Sequence, residues 1–84
     1  RFDYKQAVEH CATLEVGGFD GFRLPGPDEL RSIRRSHMMD RGRFWTNKPA
    51  GKGYAFVMDT DKNPAIQRAR TKLGGVRAIC VRER

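Results

Sequence analysis

The sequence predicts an α+β domain with a mostly antiparallel sheet. Apolar residues recur at helical spacing in two segments that end by Ile33. Segments with aromatic and β-branched content follow, separated by glycine- and proline-bearing turns, with little β-α-β alternation. The length of 84 residues supplies one core and no second domain, so residues 1–84 read as a single unit that gains from a covalent staple.

Asp3 is placed to cap a first helix, with Gln6 three residues on to complete a capping box. Tyr4, Ala7, Val8, Cys11 and Leu14 then form one apolar stripe facing the core, and Gly17 and Gly18 are expected to end the helix, giving Tyr4 to Glu15. Phe22, Arg23 and Leu24 read as a short extended segment, kept extended by Pro25. Gly26 caps a second helix. Pro27 takes its first position, where a missing N–H costs nothing, and Asp28 and Glu29 set negative charge against the positive end of the helix dipole. Leu30 and Ile33 point inward, while Arg31, Arg34 and Arg35 fall at i, i+3 and i+4 and share one outward, positive face.

The helical pattern breaks between Ser36 and Gly42. Arg43 to Asn47 then reads as a strand, Lys48 to Gly53 as a turn and Tyr54 to Asp59 as the returning strand. A second turn from Asp59 to Pro64 leads into AIQRARTKL at 65–73, which reads as either strand or short helix. Gly74 and Gly75 introduce a closing strand, VRAICVR, at 76–82. Neither an internal repeat nor a low-complexity tract is present.

Apolar content of 38% and charged content of 32% suit a soluble globular protein, and the sequence holds no apolar run long enough to span a bilayer. Because it begins at Arg1 with no charged-then-apolar leader, it reads as an excised or processed piece of a longer protein. A formal charge of +7 and a pI near 10.1 create a field that favours polyanions: nucleic acid, sulfated glycan or acidic lipid. The same charge also serves plain solubility.

Two cysteines lie at opposite ends, Cys11 on the apolar stripe and Cys80 in the closing strand. Packing of that strand on that helix would let them close most of the chain into one loop, a gain of ~4 kcal/mol in the chain-entropy account. Two buried free thiols in a reducing compartment fit the spacing as well. No metal site is expected, since His10 and His37 are the only histidines and no paired-cysteine or paired-histidine spacing occurs. A cysteine nucleophile paired with His10 is excluded by geometry, because neighbours on a helix point about 100° apart.

The stretch from Gly18 to Ile33, GFDGFRLPGPDELRSI, carries Gly21, Phe22, Arg23, Leu24, Pro25, Glu29 and Leu30 in a pattern that resembles the Lcl C-terminal-like domain family of bacteria. In that family a glycine-containing turn leads into Trp-Arg-Leu-Pro, a hydroxyl cap and Glu-Leu. The resemblance extends to Ala7, Cys11 and Leu14 in the preceding helix, to Phe44, Trp45 and Thr46 in a later strand, and to Cys80, Val81 and Arg82 at the end. Departures are Phe22 for tryptophan, Gly26 for the hydroxyl cap, Asn47 for a hydroxyl residue and Ile79 for arginine. Most of the family's opening strand is missing, apart from Arg1 and Phe2.

The resemblance implies a C-type lectin-like fold, with two helices packed on a twisted sheet and a disulfide from Cys11 to Cys80. It also implies an oxidising setting: bacterial surface, periplasm or secreted. The Arg-Leu-Pro motif is then mainly architectural. Calcium-binding members of that fold class use Glu-Pro-Asn or Gln-Pro-Asp and a Trp-Asn-Asp strand. This sequence has neither tripeptide, and Lys48 stands where the carboxylate of the Trp-Asn-Asp strand would be. The expectation is therefore a non-catalytic, calcium-independent module without cofactor.

Family association with surface attachment points to adhesion through sulfated or acidic glycan. The candidate ligand residues are Arg41, Arg43, Trp45, Lys48, Lys52 and Tyr54 about the hairpin, with Arg31, Arg34 and Arg35 on the second helix. Trp45 and Tyr54 have an equally simple role as core residues, and the helix arginines as a solvated face. Two alternatives are a protein-binding module of a pilus, secretion or phage-tail assembly, and nucleic-acid binding. The latter has the charge but no recognisable motif. Formylglycine-generating enzymes share a related fold but are far larger and need further cysteines.

Overall fold

The computed structural model describes residues 2–36 and 40–82, so Arg1 and His37 lie outside the described residues. The first helix, α1, spans Tyr4–Thr13. Its capping box forms as the sequence predicts: Gln6 N–H donates to Asp3 Oδ1 at 2.8 Å, and Asp3 N–H donates to Gln6 Oε1 at 3.0 Å. It ends earlier than Glu15, because Leu14 turns extended as the C-cap. The glycines do a different job. Val16 and Phe19 exchange both backbone bonds at 3.0 Å around Gly17 and Gly18, whose φ of 58° and 83° are the left-handed values a tight two-residue reversal demands. Ala7 and Cys11 are fully buried, whereas Val8 is 43% exposed and leaves the expected stripe.

A two-residue strand, β1 (Phe22–Arg23), leads to α2 (Pro27–Arg35), with Gly26 as N-cap and Pro27 at the start. Three strands follow, β2 (Arg43–Pro49), β3 (Tyr54–Asp59) and β4 (Ile66–Arg70), in one antiparallel sheet of order β2-β3-β4. Residues 66–70 are thus strand, which settles the helix alternative. From Gln67 onward burial alternates with strand period, the more buried Gln67 and Ala69 on one face and exposed Arg68 and Arg70 on the other.

The register shows how two helices share one sheet. Phe44, Met58 and Ile66 align across the three strands and pack with Leu30 and Ile33 of α2. Trp45 and Val57 align on the opposite face and pack with Ala7 and Cys11 of α1, Leu24 and Val76. The sheet is therefore the middle layer between α1 and α2.

The closing strand expected at 76–82 is not continuous. Val76 bridges Phe2, Arg77 bridges Phe44 in parallel, and only β5 (Val81–Arg82) forms a strand pair, antiparallel to β1. One straight strand cannot lie beside three partners in different layers, so the segment bends from one to the next. This path carries Cys80 to α1, where it is disulfide-bonded to Cys11 across 69 positions with Cα atoms 5.3 Å apart.

Candidate functional site

The middle of β2 is built around an irregularity. Trp45 pairs with Val57 but Pro49 with Ala55, so two extra β2 residues are accommodated between them. Buried Thr46 stabilises the bulge. Its hydroxyl donates to Phe56 O at 2.8 Å and accepts from Lys48 N–H at 3.2 Å. Asn47 N–H, freed from the ladder, donates to Pro25 O at 2.9 Å. The Arg-Leu-Pro-Gly turn is thereby fastened to the sheet.

The same turn is braced by a two-pronged ion pair. Arg23 Nη1 and Nη2 donate to Glu29 Oε1 and Oε2 at 2.8 and 3.0 Å, and Glu29 Oε1 also accepts Gly26 N–H at 2.9 Å. Glycine lacks a side-chain cap, so Glu29 supplies that half of the capping interaction by itself. The Arg23 guanidinium, then the Gly26 N–H, hold the Glu29 carboxyl below its ordinary range. Together with buried Leu24, Pro25 and Leu30, these contacts give the motif its architectural role.

The nine expected ligand residues do not form one cluster. Trp45 is fully buried and its indole Nε1 donates to Phe2 O at 2.9 Å, so it belongs to the core and offers no surface contact, contrary to the expectation. Arg41 is bound to Asp61, with Nη2 to Oδ1 at 2.7 Å, and that hydrogen bond raises its pKa. Arg41 and Arg43 also stand at the opposite end of β2 from the turn, roughly 20 Å of strand away. Arg43 shares the face of Trp45 and Val57, across the sheet from Tyr54.

Lys48 and Lys52 remain exposed beside the turn, as expected. Tyr54 is half-buried, and here the structure adds residues that the sequence reading passed over. Arg68 Cζ lies 4.3 Å from the Tyr54 ring centroid and Arg70 Cζ 5.9 Å. Lys52, Gly53, Tyr54, Arg70, Thr71 and Lys72 line an open cleft of about 360 Å³, which among the described residues has three cations and no carboxylate on its walls. Arg68, Arg70 and Lys72 recur at every second position, a signal available in the sequence once 65–73 is read as strand.

A second basic cleft, also about 360 Å³, is lined by Arg31, Arg34, Arg35 and Ala65. The expected outward face of α2 is therefore present. It is partly spent internally, since Arg31 pairs with Asp28 at 2.8 Å and Arg34 Nη2 donates to Thr60 O at 3.2 Å. A smaller groove of about 230 Å³ between α1 and β1 is mainly apolar, lined by Tyr4, Val8, Ala12, Phe22 and Leu24, with Arg23 and Asn47 also contributing. Burial there raises the Tyr4 pKa.

Among the described residues there is no cluster of three histidine, cysteine or acidic side chains able to hold a metal, and no helix is long and apolar enough to cross a membrane. No protein-family profile matches the chain, and neither a curated protein nor a solved structure matches it.

Proposed function

We propose that this domain is a non-catalytic, calcium-independent binding module for sulfated or acidic glycan, acting in adhesion at a bacterial surface or in a secreted protein. The observation that carries this reading is the carboxylate-free cleft over Tyr54, where Lys52, Arg70 and Lys72 converge and Arg68 stands alongside. Guanidiniums there can grip sulfate or carboxylate in a forked manner, and lysines add long-range attraction. The C-type lectin-like fold and the Lcl C-terminal-like family are part of the same proposal. In their support, two helices pack on an antiparallel sheet and a disulfide joins the first helix to the segment entering the last strand. That disulfide also favours an oxidising, extracytoplasmic setting.

The test is retention on immobilised heparin. Neutralising Lys52 and Lys72 together, or Lys48 and Lys52, should lower the eluting salt concentration, with duplex DNA of equal charge bound no more tightly. Sequence-selective DNA binding would refute the reading. Salt-insensitive capture of a protein partner with no heparin preference would replace it by an assembly role.

A further inference from the structure

We infer that Tyr54 is a positioning residue that aims the Arg68 and Arg70 guanidiniums at anionic groups, so the ligand is recognised by its row of charges and not through a sugar ring stacked on the tyrosine. This rests on the polyanion reading and sharpens it. Tyr54 lies directly opposite Arg70 across β3 and β4, and Arg68, two residues along, reaches over the ring diagonally. With Arg68 Cζ at 4.3 Å, the ring face it covers is occupied by a guanidinium that a stacked saccharide would have to displace.

Both arginines are exposed, and neither has an ion-pair partner among the described residues. Their cation–π contact limits rotamer freedom before any ligand arrives, which lowers the ordering cost of binding. Along a strand, alternate residues stand about 6.6 Å apart, a spacing that serves successive anionic groups of a linear polymer. Lys72 and Lys52 continue the row past the end of β4. Because β4 is an edge strand, a long polyanion can lie beside it without threading its ends.

The experiment compares a heparin-derived oligosaccharide with an acyclic polysulfate of matched charge number, titrated calorimetrically against the full chain and its Y54F, Y54L and R68Q variants. Expected are affinities within about threefold for the two polyanions, near-full retention in Y54F, and about five- to tenfold losses for both polyanions in Y54L and R68Q, R68Q also lowering the salt slope by about one. Should the wild type prefer the oligosaccharide by more than about tenfold and Y54L erase that preference, the ring is a sugar platform; this inference then falls while polyanion binding stands. An unaffected Y54L beside a weakened R68Q overturns the positioning role. Failure of the wild type to bind either polymer overturns both the inference and the function it rests on.

Discussion

Asn47 donates its backbone N–H to the Pro25 carbonyl at 2.9 Å, which makes the bulge in β2 and the turn entering α2 one structural unit. The bulge frees that N–H from the ladder, and the Thr46 hydroxyl holds the bulge by serving Phe56 O and Lys48 N–H at once. Thr46→Val keeps the volume while stranding both backbone groups. It is expected to cost about 1–3 kcal/mol in urea denaturation, with Thr46→Ser far milder because the hydroxyl returns. Equal stability of the valine variant would show that the bulge does not depend on Thr46.

Glu29 gives the turn a pH dependence whose sign is fixed. Its carboxyl is held below its ordinary range by Arg23 and the Gly26 N–H, so the charged form is favoured in the folded state. The associated stability is complete above the ordinary carboxylate range and drains away as pH falls through the depressed folded pKa. With side chains 35% and 43% exposed, solvent screens the Arg23–Glu29 pair, and Glu29→Gln should cost only about 1 kcal/mol at neutral pH. The gap between wild type and variant should close in acid. A gap that widened there would reverse the assignment.

The capping box of α1, the Gly-Pro start of α2 and the hairpin could be read from sequence because each depends on residues a few positions apart. What could not be read depends on partners far along the chain. Residues 76–82 carry a strand-like pattern throughout, yet their breaks are dictated by Phe2, β2 and β1, which local propensity does not register. The site shows the same division. Lys52 and Tyr54 were visible beside a turn, but Arg68 and Arg70 joined them only through the β3–β4 register, and Asp61 removed Arg41 from twenty positions away.

The disulfide is expected to supply a large share of the stability of so small a domain. Cys11 and Cys80 close a loop across 69 positions, worth ~4 kcal/mol in the chain-entropy account against a typical total of about 5–15. A double Cys→Ser variant, or the reduced protein, should therefore unfold at a much lower urea concentration, or fail to fold at 37 °C. Without reductant, native protein should resist thiol alkylation at both positions. Rapid alkylation of either sulfur would remove the bond and with it the argument for an oxidising compartment.

Trp45 decides between core and contact. It is the chain's one tryptophan, fully buried between α1 and the sheet, with its N–H on Phe2 O and its ring in edge contact with Tyr4 at 5.2 Å between centroids. Its emission should be blue-shifted and poorly quenched by acrylamide, and saturating heparin should leave it nearly unchanged. Trp45→Phe keeps an aromatic ring but removes the indole donor to the Phe2 carbonyl and loses volume, for an expected cost of about 2–3 kcal/mol. Under conditions where the variant remains folded, its heparin retention should match the wild type. A ligand-dependent shift in emission together with weakened retention would place the indole at the binding surface and require the core around Ala7, Cys11 and Val57 to open.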